Sequence, residues 1–313
     1  MPRLLLTSVN GIDELDGMLF RFVAILSGSA GMTLCTCFTV FKWNKVKSDA
    51  GHGTMFMVFF CWFFWSAGML CRTLLVFMNN RRDTLEHPSI RRMTFLTETF
   101  FNATSLWFIA AAYEFQRRAL HPRVPRSHRV CLSSYMIVIG GVSMATLAAL
   151  IVLDQGGQSV QVVDATTHKI ELEPLSAIFL SRLSWGSWCI RCVAVGYPAA
   201  VALWLEMRRD RLRFKGLPKA LSLIVLFFFV LNTPYLIISP LFAFNVLDPS
   251  TNVRVLGVMK TFSYMSGIAI SVVMGLSVRG FDAFYNMEDR PSVSCPSSAH
   301  DSLFVLSSDR SDN

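Results

Sequence analysis

Seven apolar runs divide this chain, at 18–41, 55–77, 93–115, 130–153, 185–205, 220–244 and 255–277. Each is long enough, as a helix rising about 1.5 Å per residue, to cross a hydrocarbon core of about 30 Å. No internal repeat or low-complexity block accompanies them. The pattern predicts an all-α membrane protein, a seven-transmembrane helix bundle over residues 18–277. The third and fifth runs are the most polar, which points them at the bundle interior. Composition agrees: of 313 residues 53% are hydrophobic and 16% charged, against about 45–50% and about 25% in a soluble domain. Little of the chain is left for a soluble catalytic domain, and the aromatic content argues against a disordered or fibrous chain.

Basic residues set the expected orientation. On one side lie Lys42, Lys45 and Lys47, then Arg117 to Arg129, then Arg208 to Lys219, then Arg279. The other side has fewer cations and more acids, among them Asp13, Glu14, Asp16, Asp154, Asp164, Glu171 and Glu173. The positive-inside rule then places residues 1–17 outside and the carboxyl terminus in the cytosol. The stretch 79–92, with Arg81, Arg82, Arg91 and Arg92, is the exception, basic yet outside. The net charge of +8 is read as basic inner loops rather than as a nucleic-acid surface. Arg3 is followed by only three leucines before Thr7, too few for a signal peptide, so the first span is expected to direct insertion.

After the seventh run, Phe281, Phe284 and Tyr285 recur at helical spacing beside Arg279 and Asp282. Residues 278–286 are therefore expected to form a short amphipathic helix on the inner leaflet. The tail 287–313 is polar and expected to be disordered; Ser292, Ser294, Ser297, Ser298, Ser302, Ser307, Ser308 and Ser311 are its candidate phosphorylation sites.

No enzyme signature is visible. The six histidines lie in loops or the tail, and no HExxH, GxSxG, Walker A or GxGxxG sequence occurs. Cys189 and Cys192 have CxxC spacing without a second pair, and the eight cysteines do not form a disulfide framework. The expectation is no catalysis, no metal and no cofactor.

Ionisable residues inside spans are costly and are turned inward or paired. Arg72, Glu98, Arg191 and Lys260 fall at one level of the outer half. With Glu98 paired, most simply to Arg72 or Lys260, the remaining cations make a candidate outer pocket for an anionic ligand; snorkelling to the headgroups is the alternative for Arg191 and Lys260. At the inner end of the third run, Glu114 stands three residues before Arg117 and within reach of Lys219 at the start of the sixth, a candidate ionic latch. Pro198, Pro234 and Pro240 are candidate hinges, since proline removes a backbone donor. The sequon Asn102-Ala103-Thr104 lies inside a span and is discounted.

The third run contains Phe100-Phe101-Asn102-Ala103-Thr104-Ser105-Leu106-Trp107 and then Ile109-Ala110; the fifth has Trp188 and Gly196-Tyr197-Pro198; the seventh has Gly267 and Val273-Met274-Gly275. This set resembles the cyclic-AMP-receptor-like family of G-protein-coupled receptors. Ile270 stands about where that family has Asn, and Met274 where it has Tyr. A weaker resemblance, through Arg72-Thr73-Leu74 and Glu114, is to the tobamovirus-multiplication-type seven-span family. The first resemblance implies a receptor in the plasma membrane that passes an extracellular small-molecule signal to a heterotrimeric G protein through the inner loops. The alternatives are a seven-span scaffold or regulatory protein without such coupling, and a small transporter.

Overall fold

The computed structural model describes residues 9–42, 50–78, 87–120, 128–157, 159–163, 170–207, 217–243 and 253–277. Among them are seven helices: α1 Val9–Lys42, α2 Ala50–Met78, α3 Pro88–Leu120, α4 His128–Gln155, α5 Leu175–Met207, α6 Leu217–Ala243 and α7 Val253–Ser277. Six of the seven, all but α3, have the length and apolar composition to cross a membrane, which makes this a multi-pass membrane protein. The third helix has ample length but is too polar to qualify by composition. The amphipathic helix expected at 278–286, the serine tail at 287–313 and residues 1–8 lie outside the described residues.

The helices outrun the apolar runs. Helix α5 starts at Leu175 rather than near 185, and α3 extends from Pro88 to Leu120, because polar turns continue a helix once its apolar centre is formed. Between α4 and α5 the chain makes an antiparallel hairpin, β1 Ser159–Val163 with β2 Ile170–Pro174, Ser159 opposite Pro174 and Val163 opposite Ile170. Val160, Val162, Ile170 and Leu172 alternate with polar residues in these segments, the period-2 pattern of a strand. The sequence reading had this stretch only as a charged loop.

Packing closes a ring. Helix α1 packs on α2, α2 on α3, α3 on α5, α5 on α6, α6 on α7 and α7 back on α1, while α4 lies outside it against α3. Along its length α3 is covered, and α4 is the least covered of the six apolar helices. The expected inward position of α3 is therefore observed; α5 is covered less than α1 or α2 and turns only one face inward.

A polar helix can be buried here because its hydroxyls are spent on its own backbone. Thr94, Thr97, Thr99, Thr104 and Ser105 donate to the carbonyls of Ile90, Thr94, Phe95, Phe100 and Phe101 at 2.8–3.0 Å. The same back-bonding satisfies Thr33, Thr36 and Thr39 on α1. What such a residue shows its neighbours is mainly a methyl or methylene group, so the cost of a buried hydroxyl is met within the helix.

The centre of the bundle is aromatic. Trp62 is fully buried and meets Trp65, Phe101, Phe108 and Phe228, with centroids 5.1–6.5 Å apart. Trp65 continues through Tyr264 to Phe22, joining α2, α7 and α1. Between α6 and α7, Asn232 donates to Ser266 Oγ at 2.9 Å and accepts from Ser263 Oγ at 2.8 Å. Helix α7 packs tightly on α1 and α2 at Gly267, where a methyl group would overlap both the Ser29 hydroxyl and the Trp62 indole nitrogen. Ser29 cannot move aside without losing its 2.9 Å bond to Ser66.

Overpacking of this kind costs about 1–3 kcal/mol. Gly267→Ala is expected to lower the thermal unfolding midpoint of the detergent-purified protein. Gly31→Ala, at a position open within 4 Å, should leave it within the range of a neutral surface change, about 0.5 kcal/mol.

Candidate functional site

Three polar assemblies are built around α3, and the first combines two of the four residues expected to share a level. Arg191 of α5 donates through Nη2 to Glu98 Oε2 of α3, with both side chains about four-fifths buried. Glu98 is paired with neither Arg72 nor Lys260, contrary to the simplest expectation from sequence. The reason is directional: side chains lean toward the N-terminus of their helix, so Arg191 reaches up α5 to the level of Glu98 from below. Its guanidinium carbon also lies 4.3 Å from the Phe101 ring centroid, a cation–π contact that favours keeping the cation there. One turn below Glu98, Asn102 Nδ2 donates to Ser187 Oγ at 2.7 Å. The discounted sequon asparagine thus serves the α3–α5 contact.

Beside Arg191 a cavity of about 10 Å³ is lined by Phe101, Val195, Phe228, Asn232, Tyr235 and Leu236. That is room for about one water. Arg191 Nε is buried there without a hydrogen-bond partner. Arg72 and Lys260 are partly buried on α2 and α7, and the structure does not bring them into the Glu98–Arg191 pair.

The second assembly sits near the opposite end of α3. Glu114 is fully buried and takes two bonds from Arg117, Nη2 to Oε1 at 2.7 Å and Nε to Oε2 at 3.1 Å, and a third from the Tyr135 hydroxyl of α4 at 3.2 Å. Two residues on from Glu114, Gln116 Oε1 accepts a bond from the Tyr197 hydroxyl of α5 at 2.5 Å. The Glu114–Arg117 pair expected on one face of α3 is therefore formed, with Tyr135 as a cross-helix partner that the sequence did not point to. Lys219 belongs to α6, but its side chain lies outside the described residues.

The third assembly was missed altogether. Arg91 Nε donates to Asp154 Oδ1 at 2.5 Å, Arg92 Nε to Oδ2 at 3.3 Å, and Ser176 Oγ to Oδ1 at 3.3 Å. These residues tie the first turns of α3 and α5 to the last turn of α4. The signal was present: Arg91, Arg92 and Asp154 had been placed on one side of the bilayer, with the basic cluster counted as an exception. Asp154, almost completely buried, is the counter-ion that accounts for two of those cations.

Pro198 lies inside α5, and Pro234 and Pro240 inside α6. A proline leaves the carbonyl four residues earlier without its helical donor. For Pro240 that carbonyl is Leu236, and the indole N–H of Trp188 on α5 fills the place at 3.0 Å. The hinge position is thereby pinned to its neighbour. Among the described residues no group of three or more His, Cys, Asp or Glu is arranged to hold a metal, and Cys189 and Cys192 are both free thiols.

Trp188→Phe should leave the Leu236 carbonyl unsatisfied, at a cost of about 1–3 kcal/mol in thermal stability. Adding Pro240→Ala restores the helical donor and should recover most of that loss, the readout being a double-mutant cycle. No protein-family model matches the chain, and no curated protein matches it, so the functional conclusion rests on the residues of the bundle itself.

Proposed function

We propose that this chain is a seven-span G-protein-coupled receptor of the plasma membrane, with α3 as the seventh span, an extracellular amino terminus and a cytosolic carboxyl terminus. The observation that carries it is that α3 bears polar couplings near both ends. Glu98 is tied to α5, and Glu114 is tied to Arg117 and α4. Sixteen residues separate the two carboxylates in the sequence, about 24 Å along a helix. A change at the first can therefore be delivered to the opposite face by one stiff element. Its ligand would be an anionic small molecule that engages Arg191 by parting or enlarging the closed Glu98–Arg191 site, with Arg72 and Lys260 adding positive field. Arginine suits this because its fork offers donors beyond the one Glu98 takes. The basic inner loops, 42–47, 117–129 and 208–219, would meet the heterotrimeric G protein, and phosphorylation of the tail serines would recruit a desensitising partner through added charge.

A seven-span scaffold without G-protein coupling is the second reading, favoured by the small size of the cavity beside Arg191, which holds about one water. Guanine-nucleotide exchange on co-expressed heterotrimers separates the two. If the receptor reading is right, Glu114→Ala raises basal exchange, by about tenfold if the latch biases the two states by about 1.4 kcal/mol. Arg191→Gln should abolish the response to whichever anionic compound evokes one. Basal exchange equal to that of a G protein without the receptor, in wild type and Glu114→Ala alike and with no anionic compound raising it, would establish the scaffold.

A further inference from the structure

Near the N-terminal end of α4, Arg129, Val130, Ser133, Ser134, Ile137 and Val138, all on one face of that helix, line an open, shallow surface groove of about 400 Å³. Helix α4 is the apolar helix least covered by protein, so the groove opens toward the bilayer. Its chemistry is graded with depth. Arg129 stands at the helix end, Ser133 and Ser134 follow one turn in, and Ile137 and Val138 lie about 12–14 Å from Arg129 along the axis. All six residues are exposed.

Two further observations concern what these groups do not bind. Arg129 forms no ion pair with a described carboxylate, whereas Arg91, Arg92, Arg117 and Arg191 all do. The hydroxyls of Ser133 and Ser134 are not engaged by a described residue, whereas Thr146 on the same helix bonds back to Val142 at 2.8 Å. The groove therefore presents one cation and two hydroxyl donors that no described residue engages, beside an apolar surface, and its described lining contains no carboxylate to receive an ammonium group.

We propose that this groove binds one anionic glycerophospholipid, with its phosphate on Arg129, Ser133 and Ser134 and the start of its acyl chain against Ile137 and Val138. A guanidinium pairs with a phosphodiester through parallel N–H···O bonds, and the serines supply the further donors that oxygen atoms of a headgroup accept. A net positive groove prefers a headgroup with uncompensated negative charge over phosphatidylcholine, whose own ammonium has no counterpart here. The site does not depend on receptor activity. Under the orientation proposed above it faces the cytoplasmic leaflet, where anionic lipids concentrate.

The test is native mass spectrometry of the full chain released from mixed micelles of phosphatidylserine and phosphatidylcholine. Wild type should retain one phosphatidylserine in preference to phosphatidylcholine. Arg129→Gln should lower that retention by roughly fivefold, the effect of losing one cation near a membrane surface, and Ser134→Glu should lower it at least as far. Arg182→Gln removes an exposed arginine near the first turns of α5, at the other end of the bundle, and should leave retention unchanged. Equal retention of the two lipids by wild type would overturn the proposal, as would equal loss in Arg182→Gln, which would mean bulk surface charge. Displacement of the lipid by glycerol 3-phosphate at equal concentration would also overturn it, since the free phosphate would then be the ligand.

Discussion

Hydrocarbon gives a protein no solvent for its polar groups, and in this chain that constraint is most severe at α3. The helix carries buried Thr94, Thr97, Thr99, Thr104, Ser105 and Glu114, a load no lipid-facing helix could bear. Two devices make its position tenable. Its hydroxyls fold back on the carbonyls of the preceding turn, and α2, α4 and α5 cover it on three sides. Removing either device would leave polar groups facing lipid or apolar side chains. The ring of apolar helices is in this sense the environment that α3 requires, and the aromatic centre at Trp62 fills the space the ring encloses.

The same economy governs the rest of the polar groups. Asp154 is tolerable in the bundle because Arg91, Arg92 and Ser176 surround it. Glu114 is tolerable because Arg117 and Tyr135 saturate it. The carbonyl stripped of its donor by Pro240 is met by Trp188, and Asn232 of α6 donates to Ser266 and accepts from Ser263, both on α7. Each partner lies on a different helix except Arg117, so satisfying these groups also fixes how the helices are oriented about their axes. Apolar packing alone does this poorly, since it depends on area rather than direction.

Spans and packing were legible in the sequence to different degrees. A run of about twenty apolar residues has one physical outcome in a bilayer, and all seven runs are helical. The polarity of the third run foretold its burial, although that same polarity keeps α3 from qualifying as a span on composition. Partners were harder. Assigning Glu98 to Arg72 or Lys260 treated depth as a property of the Cα, whereas an arginine side chain reaches more than a helical turn, toward its own N-terminus. The Asp154 clasp was hidden because its members were tallied as loop charges for orientation, a count that ignores pairing. The β1–β2 hairpin was overlooked for a similar reason: charges at Lys169, Glu171 and Glu173 drew attention from the alternation of Val160, Val162, Ile170 and Leu172. The Glu114–Arg117 pair was readable because three-residue spacing on one helix fixes proximity without knowledge of the fold.

The small cavity beside Arg191 bears on what the proposed anionic ligand would have to do. Glu98 and Arg191 together are neutral, so an anion approaching them gains no net attraction from the pair, and binding at Arg191 alone would crowd one cation with two anions. Lys260 changes that balance, since Glu98, Arg191 and Lys260 together carry one net positive charge. In a medium of low dielectric, field from such charges reaches several ångströms further than in water. An anion would then be held by one donor face of Arg191 and by the field of Lys260, while Glu98 keeps its own bond. The buried Nε of Arg191, without a partner beside the Asn232–Tyr235 cavity, is the donor that such an arrangement would use. Leu236 lines that cavity and Trp188 holds its carbonyl, so a ligand that enlarged the cavity would act on the seam that this bond pins.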